Sequence, residues 1–130
     1  MGLHFEFDSA NRILLLKVEG LLTEEVMTDA QVAIRNHSTA TDSRVGIFDF
    51  SGVTEFDVST PFIRTLARQG LSISASRRGI IVVPSTHGFG LARMFQLLGD
   101  QARPRLRVVR TIDDALSILR ISSPHFEPLA

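Results

Sequence analysis

The chain reads as a single α/β domain: a mixed, mostly parallel five-stranded sheet with about four helices and an N-terminal β-hairpin. Three observations predict it. Strand-like apolar runs alternate with capped amphipathic segments, the order of a parallel sheet joined by helical crossovers. Two strand patterns come first with only a turn between them, which adds the hairpin. The 130 residues are 44% apolar and 22% charged, the balance of an ordinary globular domain. Area scaling leaves about 6,800 Å² exposed out of roughly 21,000 Å² for the extended chain, so one core is sustainable.

Leu3, Phe5 and Phe7 alternate with His4 and Glu6, the pattern of a half-buried strand. Residues 8–11 read as a turn. The second strand, 12–19, holds a continuous apolar stretch covered on both faces, and Gly20 ends it. Thr23 is a helix N-cap with Glu24 and Glu25 in the first turn. Leu22 and Met27 stand at staple positions. Val26, Met27, Ala30, Ala33 and Ile34 form one apolar stripe. Residues 36–43 are a polar loop, 44–50 a strand and 51–59 a connection. Thr60-Pro61 starts the next helix, a capping hydroxyl before proline. Phe62, Ile63, Leu66 and Ala67 face inward, and Arg64 and Arg68 face out. Gly70 stops that helix, and 71–78 is a linker. Gly79–Val83 is a buried strand ended by Pro84. Residues 90–98 are helical, with Leu91, Met94, Phe95 and Leu98 on one face and Gly99 as C-cap. A strand over 106–110 leads into a helix capped at Thr111, whose stripe is Ile112, Ala115, Leu116 and Leu119. The domain spans 1–121, and 122–130 is a loose tail.

Composition excludes several function classes. The absence of cysteine removes disulfides, thiolate metal sites and thiol catalysis, and fits a reducing compartment. No secretory leader pattern opens the chain, and its longest apolar runs are far too short for a bilayer. The expectation is a cytoplasmic protein with no membrane insertion. The 14 basic and 14 acidic residues cancel, which argues against nucleic acid as a partner. The halves differ, however. Residues 1–60 hold four basic and ten acidic residues, net −6, and residues 61–130 hold ten and four, net +6.

In parallel sheets the functional end lies at the strand carboxyl termini, here residues 51–60, 84–90 and 110–111. Ser59 stands just before a helix start, near unsatisfied N–H groups and the positive end of the dipole. A phosphate there would be stabilised and would add about two negative charges to a binding edge. The plainer reading is that Ser59 or Thr60 only caps the helix. Asp57 reads as a turn-former. The loop Pro84–Gly90 could hold an anion on its backbone, but Arg93 occupies the third glycine position of a dinucleotide fingerprint. A Ser59–His87–Asp57 hydrolase set would need a nucleophile elbow that the sequence lacks. Arg64, Arg68, Arg77 and Arg78, and the alternating Arg103, Arg105 and Arg107, could meet an acidic partner or a lipid phosphate, or could be a solvated face and a protected strand edge. His4, His37, His87 and His125 lack metal-ligand spacing, so neither metal nor cofactor is expected.

The run Asp49-Phe50-Ser51-Gly52-Val53 followed by Asp57-Val58-Ser59-Thr60 resembles the STAS domain of sulphate transporters and anti-sigma factor antagonists. That family reads Asp-Leu-Ser-Gly-Val and then Asp-Ser-Ser-Gly. Val58 replaces the first serine of the second block and Thr60 its glycine. Ser59 falls on the family's phosphoacceptor. Residues 110–116 are similar to its last strand-to-helix entry. Residues 82–85 and 89–95 are similar to small stand-alone bacterial STAS-like proteins, a branch related to SEC14 domains. The resemblance implies a non-enzymatic protein-interaction module, phosphorylation-switched in the antagonist branch. Its partner would be a regulatory kinase or an anti-sigma factor, with a homodimer the other arrangement. The binding edge would be Asp57, Val58, Thr60, Arg64 and His87 around Ser59. The alternative is a carrier for a nucleotide or lipid-like anion, lined by Phe56, Phe62 and Phe89.

Overall fold

The computed structural model describes residues 2–68, 77–99 and 105–129. The elements are β1 (Gly2–Asp8), β2 (Ile13–Thr23), α1 (Glu24–Thr41), β3 (Val45–Asp57), α2 (Thr60–Arg68), β4 (Arg78–Val82), α3 (Thr86–Leu98), β5 (Leu106–Val109), α4 (Ile112–Leu119) and β6 (Glu127–Pro128). They form one mixed sheet in the order β5-β4-β3-β2-β1-β6. Strands β2 to β5 run parallel to one another, and β1 is antiparallel to β2 and to β6.

The continuous apolar runs are buried on both faces, as a central parallel strand requires. Leu16, Val18, Phe48 and Ile81 pack under α1 and α3, with Val26, Ala30 and Ile34 of α1 above them. Ile13, Leu15, Ile47, Ile80 and Val82 point the other way, onto Ala115, Leu116 and Leu119 of α4. Ile80 to Val83 are at most 8% exposed, so the interior placement read for them holds. Leu22 and Met27 meet at the start of α1. The hydroxyls of Thr23 and Thr111 accept from the amides of Val26 and Asp114 as caps.

Several boundaries differ from the expectation. The sheet has six strands, because residues 127–128 of the expected loose tail pair with Glu6 and Phe7. Ile121 and Phe126 anchor that return in the α4-side core. The loop expected at 36–43 is mostly helix. Ser38 turns inward and is buried, His37 lies against the Phe5 ring, and Asp42 closes α1 in the left-handed region. Gly20 does not end β2. With φ 87° it takes up a register irregularity, and Leu21 to Thr23 go on pairing with Glu55 to Asp57. The connection expected at 51–59 is therefore strand as far as Asp57. Helix α3 starts at Thr86 rather than Gly90, because Ser85 caps it through the Gly88 amide at 3.1 Å. Leu98, placed inward by its spacing, is 45% exposed; Phe95 and Ala92 hold the inner face instead. Gly70, most of the linker 71–78 and Arg103 lie outside the described residues.

Asp8 ties the ends of the domain together. It is 1% exposed. Its carboxylate accepts from the amides of Ala10 (3.0 Å), Asn11 (3.2 Å) and His125 (3.3 Å) and from the Asn11 side chain (2.8 Å). Burial alone would push this carboxyl up, but the donors outweigh it and hold it below its ordinary value. A group depressed in the folded state stabilises fully above its unfolded pKa of about 3.9, and that contribution is lost as pH falls through the folded value. Asp8→Asn should cost about 1–3 kcal/mol at neutral pH. Urea melts of both proteins should show the gap unchanged down to about pH 5 and closing below about pH 4. A gap that does not depend on pH would remove the charge from this account.

Candidate functional site

The carboxyl ends of β2 and β3 and the first turns of α1, α2 and α3 meet at one end of the sheet. The β2–β3 extension lifts Phe56 and Val58 above the apolar floor. Phe56 lies 6.5 Å from the Phe50 ring and 6.3 Å, edge-on, from that of His87. Gly88 is what lets α3 come this close: a Cβ there would stand 2.5 Å from Phe56 Cζ and 2.8 Å from the Ser85 hydroxyl.

Beneath this rim is a cavity of about 90 Å³. Leu16, Phe48 and Ile81 of the sheet form its floor. One wall is Met27, Ala30 and Ile34 of α1, and the other is Ile63, Leu66 and Ala92 of α2 and α3. Phe56 and Val58 stand at the rim. Gln31 carries the one polar side chain among the described lining residues. The volume is about three times the ~30 Å³ that a water occupies in the liquid. Its apolar lining offers water few hydrogen-bond partners. Of the aromatic lining expected, Phe56 is present and Phe62 and Phe89 are not. Phe89 instead lies under the Arg110 guanidinium, 4.2 Å from its ring centre, and Arg110 also donates to Pro84 O at 3.1 Å.

Ser59 is exposed, and its hydroxyl accepts from the Phe62 amide at 3.1 Å. It is therefore the cap of α2, with Thr60 already inside the helix; the hydroxyl read as cap at Thr60 is displaced by one residue. The Ser59 amide donates to the Glu24 carboxylate at 2.9 Å. That bond joins the start of α1 to the start of α2 beside the rim. Sequence reading took Glu24 only as a first-turn acid; its partner lies 35 residues away, and no local signal announces it.

Asp57, Thr60, Arg64 and His87 are exposed and Val58 is half-buried. The structure gathers Asp57 to Thr60 on one edge, with Arg64 one turn along α2. His87 sits on α3 against Phe56, with no hydrogen bond to Ser59 or Asp57 among the described residues. The Ser59 hydroxyl accepts from the Phe62 amide, and among the described residues no bond joins it to His87 or Asp57 as a triad would require. No group of three His, Asp or Glu side chains able to hold a metal gathers among the described residues, and no described helix is long and apolar enough to cross a membrane. A scan against protein-family models gives no match, and a search of curated proteins gives none either.

The cap is directly testable. Ser59→Ala should destabilise the fold by about 0.5–2 kcal/mol, whereas Ser59→Asp, which can still accept from the Phe62 amide, should stay close to wild type. Chemical denaturation of the three proteins decides. Equal midpoints for wild type and Ser59→Ala would show that another group caps α2.

Proposed function

We propose that the chain is a non-enzymatic binding module whose helix-side cavity receives the apolar part of a small molecule. The observation that carries this reading is the cavity itself. A domain this size has material enough to close its core, yet a space remains between α1 and the α2–α3 pair. Small-molecule sites are typically concave and mostly apolar, with a few polar groups at the mouth. Here the lining supplies Gln31, and at the rim Val58 adjoins Ser59 in sequence and Phe56 lies against His87. The volume of about 90 Å³ is smaller than the engineered cavity of about 150 Å³ that takes benzene, so it favours a short acyl end, with a single ring entering only where the mouth gives way.

A second reading is a STAS-like docking edge for a protein partner, in the manner of the anti-sigma factor antagonists. The specific observation in its favour is that Asp57, Ser59 and Thr60 are exposed at the start of α2, with Ser59 on the position that resembles the phosphoacceptor. A phosphate on Ser59 would sit at the helix N-terminus, which favours it, and would face the Glu24 carboxylate, which does not. Such a switch would work by breaking the Glu24–Ser59 link. The two readings share Val58, which lines the cavity and lies within the edge.

Ala92→Phe fills the cavity from α3. A ligand that binds only the folded state raises its stability by about 2.7 kcal/mol at a hundred times its Kd. Thermal melts with uncharged single-ring aromatics and short-chain acids should show such a rise for wild type and none for Ala92→Phe. Mass analysis of an organic extract of protein purified from its host provides the natural candidate. An empty extract with no shift from any compound would remove the carrier reading and leave the docking edge, which phosphate on Ser59 in the same spectrum would support.

A further inference from the structure

The opposite end of the sheet carries a charge pattern that the cavity does not explain. Four parallel strands begin there, and each is preceded or opened by arginine: Arg12 before β2, Arg44 before β3, Arg77 and Arg78 at β4, and Arg105 before β5. Backbone hydrogen bonds hold them in a row. The Arg44 amide donates to Arg12 O (2.9 Å), that of Arg78 to Arg44 O (3.3 Å) and that of Gly79 to Arg105 O (3.3 Å). Neighbouring strands lie about 4.8 Å apart, so the row crosses the sheet at the spacing of the strands. Helices α2 and α4 run back to the same end and finish at Arg68 and Arg120.

Among the described residues, little acid answers Arg44, Arg77 and Arg78. Asp8 is buried within its own turn, and Asp42 is paired with Arg12. Among the described residues, no carboxylate is within ion-pair distance of Arg44, Arg68, Arg77, Arg78 or Arg120. Helix C-termini favour cations, which accounts for Arg68 and Arg120 but not for the strand starts. Protection of a sheet edge by charge reaches only β5.

A second feature adjoins the row. Leu97 and Leu98, in the last turn of α3, are 64% and 45% exposed. The Gln96 side chain donates to Leu106 O at 2.8 Å, which fixes that turn beside the start of β5. Exposed leucines at the same end as Arg44, Arg77 and Arg78 suit a membrane surface: the apolar side chains enter the headgroup boundary and the guanidinium groups meet lipid phosphates. A nucleic acid or an acidic protein would use the arginines and leave the leucines without a role. We infer that this end of the domain rests on an anionic lipid surface, peripherally and reversibly.

Sedimentation of the full chain with vesicles is the test. Binding is expected to vesicles of phosphatidylcholine with roughly one-third phosphatidylglycerol and not to phosphatidylcholine alone, and it should weaken with salt. Each arginine near such a surface is worth about fivefold in affinity, so Arg44→Gln with Arg77→Gln should lose about 25-fold. Leu97→Ser with Leu98→Ser should also weaken binding while preserving its salt dependence. Arg64→Gln removes one charge from the middle of α2, a turn away from the row, and should weaken binding far less than the Arg44 and Arg77 pair. Thermal melts check folding, and Arg44→Gln with Arg68→Gln, both exposed, serve if the first pair unfolds. Failure to sediment with anionic vesicles overturns the inference, as does an equal loss in Arg64→Gln. Binding to a DNA duplex but not to vesicles, with the same arginine dependence, would assign the row to nucleic acid instead.

Discussion

The ladder between β2 and β3 is the interaction on which the rest depends. It is the longest pairing in the sheet, running from Ile13 beside Val45 to Thr23 beside Asp57. Its lower half is buried on both faces, so its backbone groups have only each other as partners, and leaving one unpaired would cost the full desolvation of a buried amide. Its upper half, beyond the irregularities near Gly20, leaves the sheet plane's neighbours behind. There it carries Phe56 and Val58 over the cavity and delivers Ser59 to the start of α2. Core, rim and edge are thus successive lengths of one strand pair.

That continuity explains how the two ends of the molecule differ. Parallel strands place all their carboxyl ends on one side, where chain reversals into α1, α2, α3 and α4 supply caps from Thr23, Ser59, Ser85 and Thr111. Their amino ends gather on the other side, where the arginines stand. The imbalance between the sequence halves, net −6 and net +6, is only loosely related to this polarity. Arg12 and Arg44 belong to the acidic half yet sit in the basic row. Spatial charge follows strand direction rather than position along the chain.

The parts of the fold legible in the sequence are those written in local physics. Two-sided burial made Ile80 to Val83 a central strand, and cap hydroxyls marked Thr23 and Thr111. What escaped depends on partners distant in sequence. Glu127 and Pro128 have no strand pattern of their own and become strand because the β1 edge offers Glu6 and Phe7. Residues 36–41 look like a loop by polarity, and only the buried Ser38 and the Phe5–His37 contact show why the helix continues. Ser51 to Asp57 alternate poorly because the pairing with β2 is irregular. The site was legible as a location, the end of the sheet where the strands lead into the helices and where Asp57, Ser59 and His87 stand. The cavity was not, since it is a gap among residues that each look like ordinary core.

The return of the C-terminal segment to β1 has a consequence for the order of folding. The His125 amide reaches a carboxylate 117 residues earlier in the chain, about as non-local as a contact in this domain can be. Such closures pay their loop entropy before any contact repays it, and they form late. During synthesis β1 and β2 emerge first and can pair at once, but the outer edge of β1 has no strand to meet until residues 125–129 arrive. Until then Phe5 and Phe7 lie in a strand with open backbone groups, the geometry that recruits strands from other chains. The two-residue β6 is therefore less a part of the scaffold than its closing stitch, and its timing governs how long a nascent chain stays exposed to misassembly.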